Sequence, residues 1–354
     1  MTLTGRRPVT ESVEVLDEEV QAAWRQMARS GVAELTSSYV LCTTLAGLAE
    51  AGIAEKLSED WVALDDLVPP GGSAVMIGQV MRYLGIRGIA ESAGDAWRLT
   101  PRGASLVSEL PGALVGYYAQ AYGPVLGSMA GQLTGAEPYG TRVHRDAEAL
   151  GRHCEVLFRS FGTTLVAGLI TEHGASSVLD LGCGTGGLVL DLCRAYPGLR
   201  AVGLDIAPDA VRYAQARAAE AGLQDRVSFV VGDAFAPADW PAEAAACDFF
   251  VAVGAVHEHF RDGEAAVVEL LRRYAALLGA PGGKTLLLAE PELNVDAADA
   301  DFFLVHVLTA QGMPRRRAGW FEVFERAGLR CTRVFSAPNT GFRFAYYELR
   351  AAGH

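Results

Sequence analysis

Short apolar runs alternate with amphipathic stretches from residue 176 onward. Five largely apolar runs predict strands that are buried on both faces, at 178–181, 201–204, 227–231, 249–253 and 285–289. Between the last two runs, apolar residues at helical spacing predict a helix whose apolar positions are Val267, Leu270, Leu271, Tyr274 and Leu278. Because strands that alternate with helices build a parallel, doubly wound sheet, this half is predicted to be an α/β domain.

The first half of the chain has a helical pattern with one small β feature. Residues 39–57 are apolar enough for a buried helix, and residues 88–100 predict a short hairpin with a glycine-containing turn. Helices followed by a hairpin are typical of a winged helix. The third helical stretch, 73–84, offers only Arg82 as a basic residue, so packing or dimerisation is favoured over DNA reading.

Two further segments lie near the junction of the halves. Residues 111–136 contain no charged residue but several glycines and two prolines, which predicts a loop-broken helical pair lining something apolar rather than a membrane-spanning helix. Residues 146–169 are predicted to form one long connecting helix.

Composition and charge narrow the classes of function. The 354 residues are 50% hydrophobic and 20% charged, which is typical of a globular protein of about two domains. The formal charge of −12 argues against a general nucleic-acid binder. The six cysteines show no CxxC spacing, and no signal peptide is visible. We therefore expect a soluble, cytoplasmic protein without nucleic-acid or membrane partners.

A glycine-rich turn, LDLGCGTGG, follows the first predicted strand at 179–187. Gly182 and Gly184 would let the backbone approach a ligand closely. Nicotinamide, flavin and S-adenosylmethionine sites all use such a turn, so the glycines alone do not choose among them. Asp180, on the strand before the glycines, favours a cationic ligand over a pyrophosphate.

Carboxylates also end the next two strands. Asp205 lies 21 residues after Gly184, at the position suited to ribose hydroxyls, and Asp233 with Phe235 is suited to an adenine amine and its ring. The segments VLDLGCGTG, GLDI and VGDAF within 176–290 resemble the class I S-adenosylmethionine-dependent methyltransferases. The resemblance implies a Rossmann-like doubly wound fold. The residues it assigns to the cofactor are Asp180, Gly182, Gly184, Asp205, Ile206, Asp233, Ala234 and Phe235.

The order of the two halves is similar to that of dimeric small-molecule O-methyltransferases. The resemblance implies a mainly helical, winged-helix-like dimerisation domain over residues 1–145. It implies an S-adenosylmethionine-binding, Rossmann-like catalytic domain over residues 146–354. A homodimer is expected on the same basis.

The segment VGAVHEHFRD, at 253–262, bears on the methyl acceptor. In dimeric O-methyltransferases a histidine at the place of His257 is the general base, which implies methylation of a phenolic or similar hydroxyl. His259 has three possible roles: a base, a replacement for Glu258 as a ligand, or a solvent-facing residue.

The chain also resembles bacterial metal-dependent 2-oxo acid C-methyltransferases of the phenylpyruvate type. This second resemblance matches His257, Glu258 and His306 to ligands of a mononuclear iron or zinc ion, and Arg145 to the residue that binds the substrate carboxylate. It implies methylation at C3 of a 2-oxo acid through a metal-stabilised enolate. We favour this interpretation because an O-methyltransferase would not require His306 or Arg145.

Each of these assignments has a plain structural alternative. His306 is also consistent with a core histidine, and Arg145 with a surface charge paired with Asp146 or Glu148. Adjacent residues rarely both reach one ion, which weighs against Glu258 as a ligand. A binding module without catalytic activity is a further class of function, and the intact glycine turn argues against it.

Overall fold

The computed structural model describes residues 18–279, 283–336 and 343–353. Its contacts divide the chain into two compact units, Met1–Val107 and Ser108–His354. The predicted boundary between residues 145 and 146 therefore falls inside the second unit. The reason is that Tyr117, Tyr122 and Val125 are buried in an apolar cluster with side chains from later helices of that unit.

The first unit is mainly helical with a small antiparallel sheet. Its strands are β1 (Val62–Ala63), β2 (Ala90–Ala93) and β3 (Ala96–Leu99), with β3 in the centre. Gly94, at φ 65°, makes the turn between β2 and β3, so the predicted hairpin is confirmed. The helices are α1 (Glu18–Arg29), α2 (Val32–Glu50), α3 (Leu64–Leu67), α4 (Ala74–Ile86) and α5 (Pro101–Val107). The winged-helix and dimerisation assignments stay predictions.

Helices α1 and α2 expose several large apolar side chains. Trp24, Leu35 and Tyr39 are 62%, 69% and 72% exposed. Within the described ranges, α2 is the only individual helix that is long and apolar enough to cross a membrane. The bent pair Ala147–Phe158 and Phe161–His173 reaches that length and apolar character only when its two helices are counted as one span. The absence of a membrane partner stays a prediction.

A seven-stranded sheet forms the centre of the second unit, in the order β6-β5-β4-β7-β8-β10-β9. All five predicted strands are confirmed and pair in parallel. The sheet is nevertheless mixed, because β10 runs antiparallel to both of its neighbours. The strands are β4 (Ser177–Leu181), β5 (Arg200–Asp205), β6 (Val227–Val231), β7 (Phe249–Val253), β8 (Thr285–Glu292), β9 (Leu329–Ser336) and β10 (Arg343–Ala351).

Helices cover both faces of this sheet and bury two apolar cores against it. Before the sheet come α6 (Glu109–Gly116), α7 (Gly123–Gly127), α8 (Met129–Leu133), α9 (Ala147–Phe158) and α10 (Thr164–His173). Between and after the strands come α11 (Gly187–Ala195), α12 (Pro208–Glu220), α13 (Ala242–Ala246), α14 (Glu264–Leu278), α15 (Ala300–Leu308) and α16 (Arg317–Arg326). The predicted apolar positions of α14 are all buried, which confirms that helix. Each such side chain contributes about 1.5–3 kcal/mol when it is fully buried.

The predicted long connecting helix is interrupted. Residues Arg159–Thr163 form a π-helical turn between α9 and α10. The wider π turn changes the direction of the helix axis, so one continuous helix over 146–169 is wrong. A second π turn, Tyr117–Ala121, follows α6, and α7 and α8 come after it. The uncharged segment is therefore a series of short helical pieces and not the predicted helical pair broken by a loop.

Candidate active site

The glycine-rich turn connects β4 to α11 at the carboxyl edge of the sheet. Gly182 and Gly184 have φ values of 79° and 52°, in a region that side chains other than glycine rarely adopt. The Gly182 and Cys183 amides both donate to the Leu204 carbonyl of β5, at 2.8 and 2.9 Å. The turn is therefore held against the neighbouring strand.

Asp180 and Asp205 lie beside this turn. Asp205 accepts hydrogen bonds from the Gly184 amide at 2.8 Å and the Ala207 amide at 2.9 Å. Asp180 is only 4% exposed, and its burial together with the charge of Asp205 raises the pKa of its carboxyl to about 7. A cation bound here would favour the ionised form of Asp180.

The ends of β5 and β6 carry the remaining residues predicted to bind a cofactor. Asp233 accepts a hydrogen bond from the Phe235 amide at 2.8 Å. The carbonyl of Ala234 accepts one from the Tyr274 hydroxyl at 2.7 Å. Ile206 is 71% exposed, an apolar side chain at the end of a strand next to carboxylates. Carboxylates and apolar faces at one sheet edge suit a nucleoside, whose ring is apolar and whose ribose hydroxyls donate.

His257 lies in a 3₁₀ segment, Val256–Asp262, directly after β7. Its Nδ1 lies 2.7 Å from the carboxylate of Glu290, which also accepts from the amide of Val256 at 2.7 Å. Because a carboxylate only accepts, Nδ1 donates in this contact, and the neutral tautomer that donates from Nδ1 has its lone pair on Nε2. The sequence reasoning missed Glu290, although a carboxylate inside the apolar run TLLLAEPE of β8 was a usable signal.

His306 of α15 lies next to His257, with ring centroids 5.3 Å apart. Its Nδ1 donates to the carbonyl of Phe302 at 2.8 Å. Its Nε2 is buried and makes no hydrogen bond with any residue that the structure describes. Burial and the neighbouring His257 lower the pKa of His306 to about 4. The ring is therefore neutral near pH 7, with an unpaired lone pair on Nε2.

Arg145 and Glu258 form an ion pair with an N–O distance of 3.1 Å, and both side chains are about one quarter exposed. Glu258 also lies 3.3 Å from Arg261. Burial disfavours both charged forms, but the attraction outweighs it, so the pKa of Glu258 is lowered and that of Arg145 is raised. The two nearby carboxylates that were alternative ion-pair partners of Arg145 make other contacts. Asp146 caps α9, and Glu148 lies near Arg152.

The predicted set of three metal ligands is not assembled. Within residues 18–279, 283–336 and 343–353, no group of three or more His, Cys, Asp or Glu side chains is arranged to hold a metal ion. Glu258, next to His257 in sequence, forms ion pairs with Arg145 and Arg261 instead. The structure brings together only the two histidines of the predicted set.

His259 lies beside Phe235, one of the residues predicted to bind the cofactor. Its ring lies 4.6 Å from the ring of Phe235 at an interplanar angle of 31°. Its Nδ1 is 2.9 Å from the carboxylate of Asp262. Contact with Phe235 favours a role next to the predicted adenine position over a role as base or ligand.

An apolar cluster borders the histidine pair. Phe302 packs against His306 with ring centroids 4.2 Å apart, and Tyr117 and Tyr122 belong to the same cluster. Burial raises the pKa of Tyr122, and the charge of Arg145 opposes that rise. The candidate acceptor site therefore combines the guanidinium of Arg145, the two imidazoles and an aromatic wall formed by Tyr117, Tyr122 and Phe302.

Comparison with known proteins identifies a methyltransferase domain in the second unit. Residues 178–283 match the family described as "Methyltransferase domain". Ajmaline N-methyltransferase of Rauvolfia serpentina is 34% identical over 36% of this chain and 40% of its own length, so the matched part is less than half of that relative. 2-Ketoarginine methyltransferase of Streptomyces arginensis is 28% identical over 77% of this chain and 81% of its own.

Two solved structures share the fold at low sequence identity. Mitomycin 7-O-methyltransferase has a TM-score of 0.65 at 20% identity, covering 94% of this chain and all of its own. Human N-acetylserotonin methyltransferase, solved with SAM, has a TM-score of 0.68 at 16% identity and covers 97% of this chain and all of its own. The predicted class I, Rossmann-like fold with a helical N-terminal region is confirmed, and the chain carries a methyltransferase domain.

Proposed function

We propose that this protein is an S-adenosylmethionine-dependent small-molecule methyltransferase that methylates C3 of a 2-oxo acid. The observation that carries the choice of acceptor is the pair His257 and His306, whose Nδ1 atoms are both hydrogen-bonded. The Nε2 of His306 remains buried without a hydrogen bond to any described residue. A methyltransferase that needed only one general base would have no use for this second imidazole.

Two features of the histidine pair support the proposed metal ion. Histidines that bind metals usually donate their other ring N–H to a carboxylate or a backbone carbonyl, as His257 does to Glu290 and His306 to Phe302. Two imidazoles that share one ion at about 2 Å have centroids roughly 5 Å apart, close to the separation in this structure. Iron or zinc would suit these ligands, with further positions open to acceptor oxygens. A metal ion bound there would polarise the keto oxygen of the acceptor as a Lewis acid and so make the C3–H bond more acidic. In the proposed reaction this bond breaks and its proton passes to solvent, the C3–methyl bond forms, and the sulfonium C–S bond breaks to leave S-adenosylhomocysteine.

The other residues of the site bind and orient the acceptor. Arg145 offers a guanidinium for the acceptor carboxylate, and Glu258 holds that guanidinium from one side. Glu290 keeps the proton of His257 on Nδ1, so that Nε2 can coordinate. Tyr117, Tyr122 and Phe302 share one apolar cluster, and this aromatic wall would help to align the acceptor with the methyl group of the donor. The name of the 2-ketoarginine relative supports a 2-oxo acid as substrate class.

O-methylation of a phenolic or similar hydroxyl is the second candidate. The hydrogen bond between His257 and the buried Glu290 favours it, since an imidazole oriented by a carboxylate is a competent general base. In this alternative His257 takes the hydroxyl proton as the oxygen attacks the methyl group. His306 would then be a core histidine.

Metal content and product identity separate the two candidates. The purified protein would be analysed for iron and zinc, then incubated with 13C-methyl S-adenosylmethionine and either phenylpyruvate, a branched 2-oxo acid or a phenol. We expect about one metal ion per chain and a carbon-bound 13C-methyl product, both lost in His306→Leu. Methylation of the phenol at an undiminished rate after complete metal removal would overturn the 2-oxo acid proposal. The Glu148→Gln variant, whose exposed side chain lies on α9, is a matched control for both measurements.

We also propose that the protein is cytoplasmic and forms a homodimer through α1 and α2. The exposed Trp24, Leu35 and Tyr39 support an apolar interface in this unit. Light scattering after size exclusion should give twice the chain mass, and Leu35→Glu with Tyr39→Glu should give a monomer. A monomeric wild type would contradict the dimer proposal. Retention of the protein by neutral lipid vesicles would contradict the predicted absence of a membrane partner.

A further inference from the structure

Glu155 of α9 lies at the centre of a group of ion pairs beside the glycine-rich turn. Its carboxylate accepts hydrogen bonds from the Thr185 hydroxyl at 2.6 Å and from Arg217 at 3.0 Å. Arg159 lies 2.6 Å away on the exposed side. The same guanidinium of Arg217 donates to the backbone carbonyl of Thr185 at 3.0 Å. One carboxylate thus connects α9, the glycine turn and α12.

This arrangement is tightly packed. Gly187, the first residue of α11, lies so close to Glu155 that an added Cβ would clash with the carboxyl group. The Glu155 side chain is only 18% exposed and that of Arg217 is 22% exposed. Burial alone would raise the pKa of Glu155, but hydrogen bonds from Arg217 and Thr185 outweigh it and lower that pKa. The carboxylate is therefore ionised at neutral pH and holds its partners as a charge.

Helix α9 also reaches the acceptor side of the site. Ala149 is buried in the apolar cluster that contains Tyr117, Tyr122 and Phe302, and Leu150 and Cys154 pack against it. Glu155 follows directly after these residues. Glu155 thus connects the glycine turn to α9, the helix that packs against the aromatic wall of the acceptor site.

We propose that Glu155 is a positioning residue for the cofactor: through Thr185 and Arg217 it holds the glycine turn in the conformation that binds S-adenosylmethionine. Glu155 acts on the turn and not on the reacting atoms. This inference rests on the proposed function only in requiring that the turn binds the cofactor. Without the carboxylate, Arg217 and the Thr185 hydroxyl lose a shared charged acceptor, and the turn has to be ordered when the ligand binds.

The test compares Glu155→Gln with Glu148→Gln on the same helix. Glu148 is a matched control because its side chain is 91% exposed and lies 3.9 Å from Arg152, where an ion pair contributes little. The Kd of S-adenosylhomocysteine would be measured by calorimetry on the full-length protein. We expect a rise of roughly 10- to 100-fold for Glu155→Gln, as for loss of a charged hydrogen bond, and less than about twofold for the control. Thr185→Val removes only the hydroxyl and should raise the Kd by roughly 3- to 10-fold.

Hydrogen exchange in the unliganded protein separates positioning from general stability. Faster exchange in Glu155→Gln should be confined to residues 182–187 and the start of α11. An unchanged Kd, or equally faster exchange throughout β4 and β5, would overturn the positioning role. If Glu155→Gln does not fold, the same measurements on Thr185→Val decide. Absence of S-adenosylhomocysteine binding by the wild type would instead overturn the proposed function.

Discussion

Replacing Glu290 by glutamine tests whether the tautomer of His257 governs the reaction. The carboxylate of Glu290 is fully buried and accepts from three donors: the Val256 amide at 2.7 Å, the His257 amide at 3.4 Å and His257 Nδ1 at 2.7 Å. Glutamine has the same shape but only one accepting oxygen. When that oxygen keeps the Val256 amide, the His257 amide and Nδ1 both face the amide NH2. The imidazole can relieve this contact by moving its proton from Nδ1 to Nε2. That change removes the lone pair needed by a ligand or a base.

The magnitude follows from the hydrogen bond that is lost. A hydrogen bond to a charged group is worth about 1.5–3 kcal/mol, which corresponds to roughly a 10- to 150-fold change. Loss of a carboxylate that orients a metal-bound histidine typically costs about 10- to 100-fold in affinity or activity. We therefore expect kcat/KM of Glu290→Gln to fall by about 10- to 100-fold. The melting temperature should fall by about 4–8 °C, as for a loss of about 2 kcal/mol in a unit of this size.

The assay combines steady-state kinetics with 15N NMR of the histidine rings, which reports the protonated nitrogen directly. Glu292→Gln is the matched control, because Glu292 lies on the same strand but is held by Arg317 and Tyr347. The control should lose stability and keep both the tautomer of His257 and the activity. If Glu290→Gln keeps kcat/KM within about twofold and the proton stays on Nδ1, the reasoning is refuted.

Three further predictions concern charge and burial in the site. Because the pKa of Asp180 is raised to about 7, its contribution to stability is present below about pH 4 and is lost as the pH rises towards 7. Binding of S-adenosylmethionine at pH 6.5 should therefore release part of a proton from the Asp180 carboxyl. Calorimetry would detect this release as a binding heat that depends on the ionisation enthalpy of the buffer. Equal binding heats in two buffers, or a proton release that persists in Asp180→Asn, would contradict this prediction. Arg145→Gln should raise KM for a 2-oxo acid roughly 10- to 100-fold while leaving the Kd of the cofactor unchanged, as measured by kinetics and calorimetry; an unchanged KM would return Arg145 to a purely structural ion pair. His306→Leu removes a buried Nε2 that has no hydrogen bond among the described residues, and it also removes the Nδ1 hydrogen bond to Phe302. The two losses offset each other, so the melting temperature of the metal-free protein should change by less than about 4 °C while metal content falls; retained metal would place His306 in the core.

Much of the fold could be predicted from local pattern. A buried parallel strand must be apolar along its whole length, which is why five strands and α14 were visible as apolar runs and as helical spacing. The antiparallel β9 and β10 escaped notice because charged residues interrupt them, as in the segment RFAYYELRA. The π turn at Arg159–Thr163 also left no signal, since it changes hydrogen bonding and not composition.

The candidate site also has features that follow from local sequence and features that depend on the whole fold. The sequence by itself determined the glycine turn and the carboxylate beside it, because the turn and Asp205 need only the local geometry of a strand, a turn and the next strand. Only the tertiary structure decided which partners the acceptor residues take. Glu258 pairs with Arg145, and His257 with Glu290, through contacts between residues 113 and 33 positions apart. The cost of burying a charge selects such partners, and that cost depends on what the whole fold brings within a few ångströms.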